Sequence, residues 1–185
     1  MNVAIAGATG YTGLELVRIL SRHPEVNIAA LTSERYAGKQ YSEIFPQLSG
    51  HISCRLDKLD SETIAEKADV LFLALPHCES MRHAPFFYRA GKKIIDLSAD
   101  FRFIQKKNYE SWYQKHAAPD LLAEAVYGLC EINRPDIERA QFIANPGCYP
   151  TSIILPLMPF LREDMISRSS IIADSKSGVS GAGRG

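Results

Sequence analysis

With 185 residues the chain has room for one domain and the beginning of a second. Its composition, 46% hydrophobic and 23% charged, excludes collagen-like and wholly disordered classes. The balance of 21 Lys plus Arg against 21 Asp plus Glu excludes the dense basic field of a protein that lives on nucleic acid.

Apolar, β-branched runs alternate with helical patterns from the first residues onward, which predicts an α/β fold with a parallel sheet and crossover helices. Val3 to Ala6 is the first predicted strand, and Thr12 to His23 a helix that Pro24 ends. Val26 to Leu31 follows as a strand, then a weaker strand at His51 to Leu56 and a short helix at Ser61 to Lys67. Val70 to Leu75 is almost wholly apolar, as a strand buried on both faces requires, and Pro76 stops it. A helix at Glu79 to Arg89 and a strand at Lys93 to Leu97 precede a polar excursion, Asp100 to Ala118, with a helix expected near Tyr109 to Lys115. Order returns at Val126, and Phe142 to Ala144 is the last strand of the sheet. A sharp Asn145-Pro146-Gly147 turn leads into a helix from about Tyr149 to Leu161, and the domain is expected to change there, dividing the chain into 1–147 and 148–185. Ser170 to Asp174 would be the first strand of the second, α+β domain. A stable domain does not close on a loop as glycine-rich as the last nine residues, so the chain is expected to be a fragment.

The cysteines Cys54, Cys78, Cys130 and Cys148 form no CxxC pair, which argues against a disulfide scaffold or a zinc site and for a reducing compartment. No basic leader precedes Asn2-Val3-Ala4-Ile5, and the longest apolar stretch is interrupted by Pro156 and Pro159, so a soluble cytoplasmic protein without membrane or nucleic-acid partners is expected.

Gly7-Ala8-Thr9-Gly10-Tyr11-Thr12-Gly13 lies between the first strand and the first helix, where a Rossmann-type doubly wound sheet brings backbone close to a dinucleotide pyrophosphate. The spacing is GxxGxxG, which lengthens the standard loop and offers the Thr9 and Thr12 hydroxyls to phosphate oxygens. After the second strand, Ser33 can donate to a 2′-phosphate and Arg35 can stack on adenine or pair with that phosphate. These residues favour NADP, while Glu34 keeps NAD open. Pro76 and His77 sit at the carboxyl end of a central strand, where open α/β sheets bind ligands.

Cys148 begins a helix directly after a strand and a Pro-Gly turn, where unpaired N–H groups and the positive helix end favour a thiolate. Asn145 and the N–H groups of the turn are placed to stabilise an oxyanion on an attacked carbonyl. The other three cysteines are expected to lack such a setting.

GATGYTG at 7–13, TSERYAG at 32–38, FLALPH at 72–77, IDLSADFR at 95–102, YGL at 127–129, NPGCYPT at 145–151 and SGVSGAGR at 177–184 together resemble the N-acetyl-gamma-glutamyl-phosphate reductases of arginine biosynthesis. The resemblance runs along the whole chain, and NPGCYPT is its most specific part. It implies that Cys148 is the nucleophile, that the 7–13 loop with Ser33 and Arg35 holds NADP, and that Ser177 and Gly178 lie near the nicotinamide side. It also implies that Arg102, with Ser98 nearby, binds the phosphate of an acyl-phosphate substrate, and the full-length form is expected to be a homo-oligomer. Cys78 stands where the family commonly has Gly, and Cys130 where it commonly has Pro. Family members are roughly twice as long, and their catalytic His belongs to the remainder, since His51, His77, His83 and His116 do not match its motif.

Three alternatives compete. A short-chain-type reductase would use Tyr88-x-x-x-Lys92, but Gly91 interrupts the helix that pair needs. An aspartate-semialdehyde-dehydrogenase-like enzyme differs mainly in the NPGCYPT and SADFR wording, and a non-catalytic NADP sensor would keep the loop without a reactive Cys148.

Overall fold

In the computed structural model, which describes residues 1–183, the predicted alternation becomes one seven-stranded sheet. Its strands are β1 (Asn2–Ala6), β2 (Asn27–Thr32), β3 (Leu56–Asp57), β4 (Val70–Leu73), β5 (Lys93–Asp96), β6 (Ala125–Tyr127) and β7 (Phe142–Ala144). They lie in the order β3-β2-β1-β4-β5-β7-β6, and every pairing is parallel. The helices are α1 (Tyr11–Leu20), α2 (Tyr41–Ile44), α3 (Ser61–Lys67), α4 (Ser80–Arg89), α5 (Lys106–Glu110), α6 (Cys130–Arg139) and α7 (Cys148–Arg162).

The two-residue period of a strand explains why both faces are covered. Val3 and Ile5 of β1 point into a cluster with Val17 of α1 and Tyr41 of α2. Ala4 and Ala6 point the other way, to Ile64 of α3 and Met81, Ala84 and Phe87 of α4. β4 repeats the split, with Val70 on the first side and Leu71 and Leu73 on the second. Each large side chain so buried stabilises the fold by about 1.5–3 kcal/mol.

Several boundaries differ from expectation. The strand expected at His51 to Leu56 shrinks to Leu56–Asp57, because Tyr41 and Gln40 draw the preceding segment aside through a backbone bond from Tyr41 N–H to Cys54 and a bridge to Arg55. The helix near Tyr109 to Lys115 instead covers Lys106–Glu110, because Tyr109 is fully buried and fixes that turn against the core. Ser170 to Asp174 forms no strand: Arg168–Ser170 is a 3-10 turn, and 171–178 has no regular structure and no neighbouring strand to pair with. No helix among the described residues is long and apolar enough to cross a membrane.

At the end of β5 two buried carboxylates shape the loop that leads towards Arg102. Asp96 accepts the Ser98 N–H at 3.1 Å and the Ser98 hydroxyl at 2.8 Å, and the same hydroxyl accepts the Asp100 N–H at 3.0 Å. Asp100 accepts the N–H groups of Cys78 and Met81 at the start of α4, and the Tyr109 hydroxyl. His116 reaches the Asp100 carbonyl at 2.8 Å and so closes the excursion back on this loop. Burial pushes the Asp96 carboxyl up to about 6, against the lowering effect of its hydrogen bonds.

Two outcomes follow from this packing. A Cβ at Gly13 would lie 2.3 Å from the Gly7 carbonyl and 2.7 Å from Ala8 Cα, both backbone. Gly13→Ala should therefore cost about 1–3 kcal/mol in denaturant unfolding, and an unchanged midpoint would contradict this contact. An acid raised in the folded state stabilises the fold fully below its unfolded value and loses that contribution as pH rises through about 6. The stability of the native chain relative to Asp96→Asn should thus fall by about 3 kcal/mol between pH of about 3.5 and about 7.5, whereas a constant difference would contradict a buried, raised carboxyl.

Candidate active site

Parallel strands release all their following loops at one edge of the sheet, so the sequence motifs gather there. β1 lies at the point where the strand order reverses, with β2 on one side and β4 on the other, and its following loop opens at that crevice. Gly7 takes a positive φ of 80°, and a Cβ on it would lie 2.2 Å from the Ala74 carbonyl, so only glycine fits between β1 and the end of β4. A Cβ at Gly10 would by contrast meet nothing closer than the Gly7 carbonyl at 3.6 Å, which leaves the mouth of the loop clear for an incoming group. Gly10 begins α1 without a side-chain cap, and the first turn carries no acidic residue. The N–H groups of Tyr11, Thr12 and Gly13 therefore face the mouth as helix-start donors, which suits an anionic phosphate. Tyr11 is exposed and Thr12 stands beside it at the surface. The buried Tyr41 hydroxyl donates to the Ala8 carbonyl at 2.9 Å and fixes the loop from beneath.

Thr9 and Ser33 meet directly, their hydroxyls 2.9 Å apart and Ser33 buried, so the loops after β1 and β2 lie against one another. Arg35 is exposed and its guanidinium lies over the Tyr36 ring at 5.3 Å. Glu34, the residue that kept NAD open, accepts the Leu59 N–H at 3.1 Å and so is turned towards the loop after β3. Pro76 and His77 are exposed at the end of β4, and His77 Nδ1 accepts the Ala99 N–H at 3.0 Å. Cys78 follows with φ of 73°, keeping the left-handed backbone that glycine would adopt without strain.

The turn before α7 is held from two sides. Asn145 N–H donates to the Asp96 carbonyl at 2.8 Å. Arg102 Nε donates to the Asn145 carbonyl at 2.8 Å and Nη2 to the Leu97 carbonyl at 2.9 Å, tying the loop after β5 to the turn after β7. The guanidinium lies so close to the turn that a Cβ at Gly147 would be 2.9 Å from Nη1. Cys148 is the first residue of α7 and is exposed. Pro150 has no N–H, so Cys148 and Tyr149 supply the helix-start donors beside the thiol. The Asn145 carboxamide donates to the Pro146 carbonyl at 3.2 Å, leaving its second N–H for another acceptor.

Some expected residues are placed differently. Ser98 is 1% exposed and its hydroxyl is spent on Asp96, so it shapes the loop from inside and does not face the surface. Ser177 and Gly178 belong to an exposed segment, and the Ser177 hydroxyl donates to the Gly178 carbonyl. Arg184, the last residue of that motif, lies outside the described residues. Cys130, expected to lack the setting of Cys148, is also exposed and begins α6. Both cysteines therefore begin a helix; what differs at Cys148 is the turn before it, which Arg102 clamps. Burial pushes the Cys54 thiol up and makes it the poorer nucleophile. Tyr88 and Lys92 do not share a helix, since α4 ends at Arg89, and the Tyr88 hydroxyl donates to Glu124. Sequence reasoning passed over Tyr127 as a site residue, although YGL was among its motifs; its phenol lines a cavity with Arg102.

Comparison with known proteins places the fold in a family. Residues 2–140 match the family model of the semialdehyde dehydrogenase NAD binding domain, and residues 148–185 that of the semialdehyde dehydrogenase dimerisation domain. The chain is 52% identical over 185 residues to the N-acetyl-gamma-glutamyl-phosphate reductase of Geobacter sulfurreducens and 54% identical over 186 residues to that of Pelotomaculum thermopropionicum. Each match covers 100% of this chain and 54% of the relative, so the chain spans about half the length of the curated relatives it matches. Among solved structures, aspartate semialdehyde dehydrogenase II of Vibrio cholerae, complexed with ASA, superposes with a TM-score of 0.63 at 24% identity, covering 87% of this chain and 46% of that one. The aspartate semialdehyde dehydrogenase of Candida albicans with NADP gives 0.57 at 21%, covering 88% and 47%. At these identities the structures establish the shared fold, and with the family models they lead to one conclusion: the chain belongs to the semialdehyde dehydrogenase family.

Proposed function

We propose that this chain carries the dinucleotide site and the nucleophile of an NADPH-dependent acyl-phosphate reductase, acting on N-acetyl-gamma-glutamyl phosphate to give the semialdehyde and phosphate. The observation that carries the reading is Cys148, exposed at the start of α7 on a turn that Arg102 ties, through the Asn145 and Leu97 carbonyls, to the loop after β5. The choice of acyl group rests on the reductases at 52–54% identity, against 24% or less for the two aspartate semialdehyde dehydrogenases.

The residues present fit a dinucleotide. Gly10 leaves the loop mouth clear, α1 offers uncapped N–H groups, and β7 lies three strand spacings from β1, about 14 Å along the sheet edge. A dinucleotide whose pyrophosphate rests on Gly10 to Gly13 would reach from Ser33 and Arg35 after β2 towards His77 and Cys148. Glu34 turned to Leu59 N–H removes the carboxylate that would repel a 2′-phosphate, so NADP is favoured over NAD. When bound in reduced form, that cofactor supplies hydride.

The chain's own residues prepare the acceptor. The Cys148 sulfur attacks the carbonyl carbon of the acyl phosphate, a C–S bond forms, and the C–O bond breaks with its electron pair leaving on phosphate. The Cys148 and Tyr149 N–H groups and the remaining Asn145 amide N–H are the donors nearest the developing oxyanion. Arg102 keeps both Nη1 protons and one Nη2 proton for the departing phosphate, having committed Nε and one Nη2 proton to carbonyls. Self-association through 148–185, in line with the dimerisation model it matches, belongs to the same proposal.

The direct test is acylation. On incubation with the acyl phosphate, peptide mapping should find one acyl group on Cys148 and an equal amount of released phosphate, both absent in Cys148→Ser. Acylation spread evenly over Cys130 and Cys148 would overturn the assignment. Gly10→Ala should leave unfolding unchanged yet weaken NADP binding about 10-fold or more by filling the loop mouth, and an unchanged affinity would contradict the cradle. Gly147→Ala, which pushes on Arg102, should slow Cys148 acylation on the order of 100-fold while the NADP affinity stays as it is.

A further inference from the structure

Between the loop after β5 and the edge strand β6 lies a cavity of about 430 Å³ that the roles assigned above reach only through Arg102. Phe101, Arg102, Gln105, Asn108, Ala125 and Tyr127 line it, and no carboxylate does so among the described residues. Tyr127 is the last residue of β6 and pairs in register with Ala144, the last residue of β7, so its side chain stands one strand away from the Asn145 turn. Asn133 donates to the Tyr127 carbonyl at 2.8 Å and Gly128 N–H to the Ala144 carbonyl at 2.8 Å, which fixes the backbone from which the ring projects. The phenol itself has no hydrogen-bond partner among the described residues.

Arg102 enters the same cavity with its plane already set by the carbonyls of Asn145 and Leu97. Burial raises the Tyr127 phenol above its ordinary value, and the Arg102 charge acts on it in the opposite direction, so cation and hydroxyl are close enough to influence one another. Raised in this way, the phenol keeps its proton at neutral pH and can donate it to an acceptor placed beside the guanidinium. A neutral donor, a fixed cation and two amides without a carboxylate select an oxyanion.

We propose that Tyr127 is a substrate-binding residue whose hydroxyl, together with Arg102, receives the phosphate group of the acyl phosphate. The inference rests on the acyl-phosphate reading and names the group that holds the leaving phosphate. As the C–O bond breaks, the electron pair moves to the phosphate oxygen, and the added charge is shared between the guanidinium and the hydroxyl without proton transfer. Phosphate released by the reaction and free inorganic phosphate present the same chemistry to this pocket.

Inorganic phosphate is the probe, titrated into the chain while the amide signals of Gly147 and Cys148 are followed by NMR. The native chain should saturate, and Tyr127→Phe, which keeps the ring and removes only the hydroxyl, should weaken phosphate about 5- to 10-fold with NADP affinity unchanged. Equal phosphate affinity in the variant, or no saturable binding in the native chain, would overturn the proposal. Parallel losses of phosphate and NADP affinity would also overturn it, because they would mark Tyr127 as a structural residue. Acylation of Cys148 by the acyl phosphate is scored separately: if it occurs while phosphate ignores Tyr127, the inference alone falls, and if it fails, the reductase reading falls first.

Discussion

Parallel pairing of all seven strands is the constraint on which the rest of the molecule depends. It sends the loops after β1, β2, β4, β5 and β7 to one edge, and those loops carry Gly10, Ser33, His77, Arg102 and Cys148 respectively. Buried strands make that edge rigid, because Val3, Ala4, Ile5 and Ala6 are all 0% exposed and packed by helices on both faces. A site built across such loops inherits its spacing from the sheet and not from any single loop.

Within the edge, chemistry follows from what each loop is denied. The loop after β1 has no side chain at Gly7, Gly10 or Gly13, which lets strand and helix approach one another and leaves the helix start open. The loop after β5 cannot relax, because Asp96 and Asp100 are buried with their hydrogen bonds directed to Ser98, Cys78, Met81 and Tyr109. Arg102 leaves that braced loop and carries its rigidity across to the turn before Cys148. The thiol is thus exposed and yet held in place, a pairing that nucleophilic catalysis requires.

Much of this was legible in the residues. Apolar runs at Val3 to Ala6, Val70 to Leu75 and Phe142 to Ala144 pair as strands, and the GxxGxxG loop and the Pro-Gly turn stand where their spacing put them. Helix α6 was not foreseen, because Pro135 and the non-helical Asn133 break its period and none of its residues is buried. Long-range geometry was equally invisible. Nothing in SADFR distinguishes Ser98, turned inwards to Asp96, from Arg102, which spans two loops, and nothing near Glu34 announces the Leu59 N–H that draws it away. Cys78 holds a left-handed conformation that glycine would adopt freely, at a strain of about 1–2 kcal/mol, and nothing in its residue type announces that turn.

The central claim is that one sheet edge presents a phosphate cradle and a fixed thiol to the same dinucleotide. A crystal structure of the chain with NADP measures it most directly. The account predicts the pyrophosphate on the N–H groups of Tyr11 to Gly13, the 2′-phosphate beside Ser33 and Arg35, and the nicotinamide facing Cys148. A dinucleotide lodged elsewhere, or one whose nicotinamide points away from β7 with Cys148 out of reach, would contradict it.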